Sequence, residues 1–377
     1  MCIRDRLIEE LKELMERIAY YKSVLADEQK ILEIVKDELL VIKEKYNDER
    51  RSEISGSEDE LDMEDLIADE DVVITISHSG YIKRMPMDTY KSQKRGGKGI
   101  TAMTTKDEDF VEQIFITTTH NYLIFFTNKG KCYRLKVYDI PETGRQSKGT
   151  NIVNLLNITG DEQINTVISL KEYGSDQYLL AASRGGMIKK TPLPEYDTSR
   201  KDGIIAIKLD QDDELISAQL TDGSQDVLMV TQSGQAIRFS EEEVRPMGRA
   251  TQGVRGIKLA PGDAVVAMDL ARADAQLLVI TDNGYGKRTP LGEYRQQARG
   301  GKGVFTLKAT DRNGQVVSAL VVKEGEEIMV ISHDGIIIRL KVDDVSSMSR
   351  TTQGVTLMRM TEGDSVVAMA RVVSDEN

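Results

Sequence analysis

Apolar residues recur near the start of the chain at Leu7, Leu11, Leu14, Ile18, Tyr21 and Leu25, then at Leu32, Val35, Leu39, Ile42 and Tyr46. Steps of four and three alternate, the heptad spacing of a helix that buries one stripe. Glu28 stands where the pattern calls for an apolar residue. Ala26-Asp27-Glu28 suits the end of one helix and the start of the next, with Asp27 as N-cap. The pattern predicts a helical hairpin or kinked coiled-coil arm within residues 1–46; one long amphipathic helix is the alternative. Residues 47–71 lose the pattern. Ser52 to Asp71 carries ten Asp or Glu and no Lys or Arg, the composition of a solvated linker.

From residue 72 to 377 the pattern changes to short strands, and it repeats. Three signals recur six times in fixed order. The first is a hairpin Gly with a base four residues later: Gly80/Arg84, Gly130/Arg134, Gly186/Lys190, Gly234/Arg238, Gly284/Arg288 and Gly335/Arg339. The second is an Arg shortly before another Gly: Arg95/Gly99, Arg145/Gly149, Arg200/Gly203, Arg249/Gly253, Arg299/Gly303 and Arg350/Gly354. The third is a polar turn opening a new strand, at Asp109, Asp161, Asp213, Asp263, Asn313 and Asp364. From hairpin Gly to hairpin Gly the period is 50, 56, 48, 50 and 51 residues. Tyr122 to Thr127 runs into Asn128-Lys-Gly130, a turn that favours φ > 0 at glycine, and Lys131 to Tyr138 runs back. Repeats of this length with several short strands predict a mainly β, propeller-like ring of six blades, whose sheet faces bury against one another and leave few strand edges open.

The net charge of −12 argues at first against a polyanionic partner. Its distribution reverses that impression: residues 1–71 hold 23 acids and 11 bases, whereas residues 72–377 hold 39 of each. Within the windows between paired glycines the net charges run +5, +3, +1, 0, +4 and +1, a surplus of +14 in a neutral ring. Equivalent segments of a ring occupy equivalent places, so the windows form a basic band, the footprint of a phosphate backbone. The sharpest segments are Gln93-Lys94-Arg95-Gly96-Gly97-Lys98-Gly99 and its fifth-repeat counterpart Gln297-Ala-Arg299-Gly-Gly-Lys302-Gly303. Adjacent glycines let backbone approach a phosphate closely, and the flanking bases neutralise it. No base-reading group is required, so sequence-tolerant duplex DNA is the expected ligand. The candidate contacts are Gln93, Lys94, Arg95, Gly96, Gly97, Lys98 and Gly99 with Lys83, Arg84, Arg134, Arg145, Lys148, Lys189, Lys190, Arg200, Lys201, Lys287, Arg288, Arg299, Lys302, Arg339 and Arg350. For the base after each hairpin Gly, a solvated edge residue is the competing reading. The acidic linker has one as well: competition with DNA for a nearby basic surface.

The Gln93–Gly99 segment closely resembles the signature box of the DNA gyrase A family. Tyr46-Asn-Asp-Glu-Arg-Arg-Ser-Glu-Ile54 resembles that family's junction between helical arm and C-terminal domain. His78 to Arg84 and Asn283 to Pro290 resemble its first and fifth repeats. The resemblance covers about residue 7 to the end, and position 94 is Lys where Arg is usual. It implies a β-pinwheel with strands exchanged between blades, DNA bent around the rim, and negative supercoiling by an ATP-driven holoenzyme. It also implies a gyrase B partner that binds the ATP and Mg, a homodimer through the arm and the region before it, and a box that latches the ring as well as binding DNA. The family's cleavage domain precedes the arm, so its catalytic tyrosine corresponds to none here; Tyr20 and Tyr21 read as packing residues of the arm. Met1 to Arg6 does not resemble the family, so the natural chain is expected to begin earlier.

Other classes fit less well. No apolar run reaches the roughly 18 residues of a membrane span, and no secretory signal opens the chain. Cys2 and Cys132 form no metal or disulfide framework, which fits a reducing cytoplasm. No phosphate-cradling GxxxxGK[ST] occurs, no metal spacing links His78, His120 and His333, and no nucleophile or carboxylate pair stands out, so the chain alone is expected to be inactive with no bound cofactor. A protein-binding propeller predicts aromatic loops; here the loops carry Lys, Arg and Gly, and Trp is absent. The related topoisomerase IV protein shares the repeats but has a degraded or missing box.

Overall fold

The computed structural model describes residues 3–48, 63–77, 79–87, 111–144, 147–158, 162–198, 200, 202–334, 336–361 and 363–372. The chain divides into two units, Met1–Asp62 and Met63–Asn377. In the first, helices Ile3–Leu25 and Glu28–Tyr46 contact each other. The single-helix alternative gives way to a break at Asp27, whose extended backbone ends one helix and whose carboxylate accepts the Gln29 N–H at 3.1 Å. The heptad residues Leu11, Ile18, Leu32 and Leu39 are all exposed, as are Tyr20 and Tyr21, whose rings meet at 5.7 Å.

The second unit is a ring of six blades, each built on three antiparallel strands. Blade 1 holds Asp71–Ser77, Tyr81–Pro86 and Val111–Thr118; blade 2 Tyr122–Thr127, Lys131–Lys136 and Ile164–Leu170; blade 3 Tyr178–Ser183, Met187–Pro192 and Leu215–Thr221. Blade 4 holds Asp226–Thr231, Gln235–Ser240 and Val265–Leu270; blade 5 Gln276–Thr281, Tyr285–Pro290 and Val316–Val322; blade 6 Glu327–Ser332, Ile337–Lys341 and Val366–Val372. The third strand of each blade is innermost, and these strands touch in succession round the ring from blade 2 to blade 6 and on to blade 1. Between blades 1 and 2 the hydroxyls of Thr117 and Ser169 meet at 2.7 Å.

A fourth, outer strand of two residues comes from the following repeat: Thr150–Asn151 on blade 1, Ile204–Ile205 on blade 2, Val254–Arg255 on blade 3, Val304–Phe305 on blade 4 and Val355–Thr356 on blade 5. This is the strand exchange of a pinwheel. It covers each blade's outer edge with a neighbour's backbone. Blade 6 has three strands among the described residues, and Ile337 on its outer edge is exposed.

Apolar cores lie between blades, not within them. Ile74, Leu123 and Phe125 join blades 1 and 2; Ile124, Phe126 and Leu179 join blades 2 and 3; Leu180, Met229 and Phe239 join blades 3 and 4. Leu228, Leu277 and Leu307 continue the series to blade 5, and Leu278, Ile328 and Val330 to blade 6. Full burial of each such side chain is worth roughly 1.5–3 kcal/mol, so neighbouring blades stabilise one another and a lone blade has little core of its own.

Each of the hairpin glycines Gly80, Gly130, Gly186, Gly234 and Gly284 is also the seat of an exchanged strand. Gly130, Gly186, Gly234 and Gly284 have φ of +72, +83, +82 and +76. The carbonyl of Gly234 accepts N–H groups from Thr306 and Leu307 at 2.9 and 3.4 Å, and that of Gly284 accepts from Leu357 and Met358 at 2.9 and 3.1 Å. Turn and strand exchange thus meet at one residue in every repeat where both partners are described.

Candidate nucleic-acid interface

The exchanged strands form the outer edge of the ring, and the glycine loop before each leads the chain onto it. The loops chain the rim together by a repeated contact. The Arg249 N–H donates to Glu195 Oε2 at 3.0 Å and its guanidinium to the Ile205 carbonyl at 3.3 Å. Arg299 repeats this with Glu243 at 2.8 Å and the Arg255 carbonyl at 2.6 Å, and Arg350 with Glu293 at 3.1 Å and the Phe305 carbonyl at 3.4 Å. Each arginine backbone is therefore anchored on the preceding repeat, with its side chain partly exposed at the rim.

Of the bases expected to meet DNA, Arg200 and Lys302 are exposed, and Lys148, Arg299 and Arg350 are half-buried beside the rim. Lys148 Nζ lies 3.7 Å from the centre of the Tyr81 ring. Gln93, Lys94, Arg95, Gly96, Gly97, Lys98, Gly99, Arg145 and Lys201 lie outside the described residues.

The bases after the hairpin glycines go elsewhere, and this corrects the expectation for four of them. Lys83, Lys189 and Lys287 are fully buried and Lys190 nearly so. Lys83 Nζ donates to the carbonyls of Gly144 and Ser147 at 3.3 and 3.1 Å. Lys189 Nζ donates to Ala206 O at 2.7 Å and to Arg249 O. Lys287 Nζ donates to Ser349 O, Arg350 O and Thr352 Oγ1 at 2.6, 2.7 and 3.0 Å. Lys190 Nζ donates to Glu241 O at 2.9 Å. An ammonium already saturated by protein carbonyls and shut off from water is a tie that holds a neighbouring repeat's loop.

Four of the five arginines at the hairpin positions, Arg84, Arg134, Arg238 and Arg288, also reach a neighbouring repeat while remaining partly exposed. Arg84 Nε donates to Ile140 O at 3.1 Å, Arg238 Nη1 to Leu291 O at 3.1 Å, and Arg288 Nε to Val345 O at 2.6 Å. Arg134 pairs with Asp197 at 2.5 Å and lies over the Tyr122 ring. Arg339 stays exposed and pairs with Glu327. The window charges therefore overstate what faces solvent, most of all in the third repeat, where Lys189 and Lys190 are both buried.

One repeated base escaped the sequence reading. The fifth residue after the second glycine is Lys208, Lys258, Lys308 and Arg359 in the last four repeats, exposed each time. The fixed spacing from Gly203, Gly253, Gly303 and Gly354 was the available signal. The Lys208 N–H donates to Thr251 O at 3.1 Å and that of Lys258 to Gly301 O at 2.9 Å, which places these lysines beside the next repeat's loop.

Burial pushes Lys189 and Lys287 down to about 8. In an unfolded chain lysine titrates near about 10.4. Between those values the unfolded chain binds more protons, so these two groups make stability rise with pH from about 8 to about 10. Above about 10 the trend reverses, because burial holds the phenols of Tyr196 and Tyr294 up, so that only the unfolded chain ionises them. The wild-type thermal midpoint, relative to a Lys189→Met/Lys287→Met variant, should therefore climb between pH 7.5 and 9.5. A gap that stays constant would refute it.

Six blades, five of them carrying an exchanged outer strand among the described residues, with loop bases along those strands, define a pinwheel of the kind found in type II topoisomerase C-terminal domains. The chain belongs to the family described as DNA gyrase C-terminal domain, beta-propeller, whose model matches residues 71–118, 121–171, 177–222, 225–272, 275–323 and 326–372. It is 57% identical over 369 residues to the DNA gyrase A protein of Halalkalibacterium halodurans, covering 98% of this chain and 44% of that protein. It is 52% identical over 374 residues to the DNA gyrase A protein of Clostridium acetobutylicum, covering 99% and 45%. The chain thus spans less than half the length of these relatives. Among solved structures it resembles the C-terminal domain of DNA topoisomerase IV (TM-score 0.72, 29% identity, 81% of this chain and 94% of that one). It also resembles the DNA gyrase A C-terminal domain (TM-score 0.65, 30% identity, 81% and 100%).

Proposed function

We propose that residues 72–377 bind duplex DNA along the outer rim and bend it, as the wrapping part of a DNA gyrase A protein. The observation that carries this reading is the succession of outer strands and loops that present an exposed base at each of Lys208, Lys258, Lys308 and Arg359, beside Arg200 and Lys302. Phosphates spaced along a bent duplex meet such a row without any reading of bases. In the whole enzyme a gyrase B partner binds ATP and Mg, and the bent segment is delivered for strand passage in the cytoplasm. The exposed heptad face of the two helices suits pairing with a second copy.

The box Gln93–Gly99 separates this reading from a topoisomerase IV accessory domain. It concentrates Lys94, Arg95 and Lys98 around two glycines. A second role, latching the ring, fits the outer edge of Ile337–Lys341 in blade 6, which no strand covers among the described residues; at the register of an exchanged strand the first repeat carries Ile100-Thr101.

The test joins salt titration with topology. The chain should bind random-sequence duplex with an affinity that falls steeply with salt, and should shift the linking number of circular DNA relaxed in its presence by a nicking-closing enzyme. Replacing Lys94, Arg95 and Lys98 together with Ala should abolish the linking-number shift while circular dichroism is retained. Replacing Arg245 and Arg249 should do less. Salt-independent binding, strong preference for one sequence, or wrapping that survives loss of the box bases would defeat the proposal.

A further inference from the structure

We infer that the junction of the fourth and fifth repeats forms a composite phosphate seat, made by Arg255 and Lys258 of one repeat with Arg299, Gly300, Gly301 and Lys302 of the next. The inference rests on the DNA-binding reading above and assigns that ligand's tightest point on the described rim.

Three backbone-anchored contacts bring the two segments together. Arg299 Nη1 donates to Arg255 O at 2.6 Å, the Gly300 N–H to Gly256 O at 2.7 Å, and the Lys258 N–H to Gly301 O at 2.9 Å. Arg255, Lys258 and Lys302 are exposed and Arg299 partly so. Glu243, the nearest acid in contact, is engaged by the Arg299 N–H at 2.8 Å. The neighbouring junctions are poorer. The same register holds Ile205, Lys208, Arg249 and Gln252 before, and Phe305, Lys308, Arg350 and Gln353 after. Four cations at this junction thus stand against two at each of its two neighbours.

The glycines carry a second, independent argument. Where the fifth repeat has Gly300-Gly301-Lys302, the fourth has Ala250-Thr251-Gln252 and the sixth Thr351-Thr352-Gln353. Those threonines cap their own loops, Thr251 Oγ1 donating to Gly248 O at 2.8 Å and Thr352 Oγ1 to Ser349 O at 2.9 Å. The fifth loop has no such hydroxyl. A buried lysine ties the fourth loop (Lys189 to Arg249 O) and the sixth (Lys287 to Ser349 O and Arg350 O), whereas Ile237 stands at the matching position behind the fifth. Gly300 needs its φ of +78, but Gly301 has no positive φ, and a Cβ there would meet its nearest atoms at 3.4, 3.5 and 3.8 Å, ordinary contact. The fold does not require glycine at 301. Among the described residues no acceptor meets the N–H of Gly301 or Lys302. A bare backbone, two donors and four cations make a surface that a phosphodiester can approach closely.

The experiment uses the full chain with a random-sequence duplex of about 40 base pairs, titrated from about 50 to 200 mM salt, the range over which phosphate contacts weaken strongly. Lys258→Ala/Lys302→Ala should flatten the slope of log K against log salt by about 0.9 for each phosphate no longer neutralised. The charge-matched control Lys208→Ala/Arg359→Ala should change it less. Gly301→Ala should keep the wild-type thermal midpoint yet lower affinity several-fold, and Lys302→Arg should restore what Lys302→Ala loses. Equal effects in the two double variants, or a Gly301→Ala variant that binds like wild type, would overturn the seat. If the wild-type chain itself failed to bind DNA, the broader reading would fall instead.

Discussion

Replacing Gly234 with alanine should lower the stability of the ring by about 3 kcal/mol or more, among the largest single-residue effects available. Two costs combine. At φ +82 an L side chain is strained, worth roughly 1–2 kcal/mol. The new Cβ would also fall inside the van der Waals envelope of the Leu307 carbonyl oxygen. That carbonyl cannot easily retreat, because Thr306 and Leu307 are bound to Gly234 O, and Val304 and Phe305 just before them pair with Ala236 and Gln235. Relief therefore means moving the exchanged strand, and Leu307 with it, out of the core between blades 4 and 5. Gly262 supplies the control. Its φ is +78, yet a Cβ there meets nothing within 4 Å. Gly262→Ala should cost only the backbone strain. Urea midpoints of the two variants measure the difference; equal losses would show that the close approach of the exchanged strand contributes nothing.

The same residues show what was and was not legible in the sequence. The six-blade ring was legible because hairpin turns need glycine at positive φ, and turns at a fixed period imply stacked sheets. The exchange itself was invisible to periodicity, since two residues such as Val304–Phe305 cannot display an alternation; it entered only through family resemblance. The helix break was legible because Asp27 has the side chain of a cap.

The buried lysines were misread for a physical reason. In an open sheet, one face of a strand meets water, and a doubled Lys-Lys or Lys-Arg pair reads as surface charge. In a ring, both faces of a middle strand meet neighbouring blades, and Ile82 and Lys83 are buried side by side. A signal was nevertheless present. The third residue after the hairpin glycine is Lys83, Tyr133, Lys189, Ile237, Lys287 and Ile338 in turn. A position that accepts isoleucine in two of the repeats is an interior position, and lysine there must find partners inside. The rim bases Lys208, Lys258, Lys308 and Arg359 were missed for the converse reason: they lie outside the windows whose charge was counted.

Lys287 gives the sharpest separation between these two kinds of base. Lys287→Met keeps the length and apolar stem of the side chain but removes a donor to Ser349 O, Arg350 O and Thr352 Oγ1. Removing the desolvated charge returns part of the loss, whereas the abandoned acceptors each cost about 1–3 kcal/mol where water cannot replace the ammonium. The net expectation is destabilisation by about 3 kcal/mol, with loosening of the sixth-repeat loop that Lys287 holds. Below its lowered thermal midpoint, the variant should bind duplex DNA with an unchanged salt slope, because an interior ammonium releases no counterion on binding. Lys302→Ala should behave in the opposite way, with a flatter slope and the wild-type midpoint, since an exposed base without a tight ion pair adds little to stability. Both quantities are measurable on both variants. If Lys287→Met kept its midpoint and flattened the slope by about 0.9, the lysine would be a phosphate contact after all, and the distinction between ties and rim bases would fail at the residue where the geometry draws it most clearly.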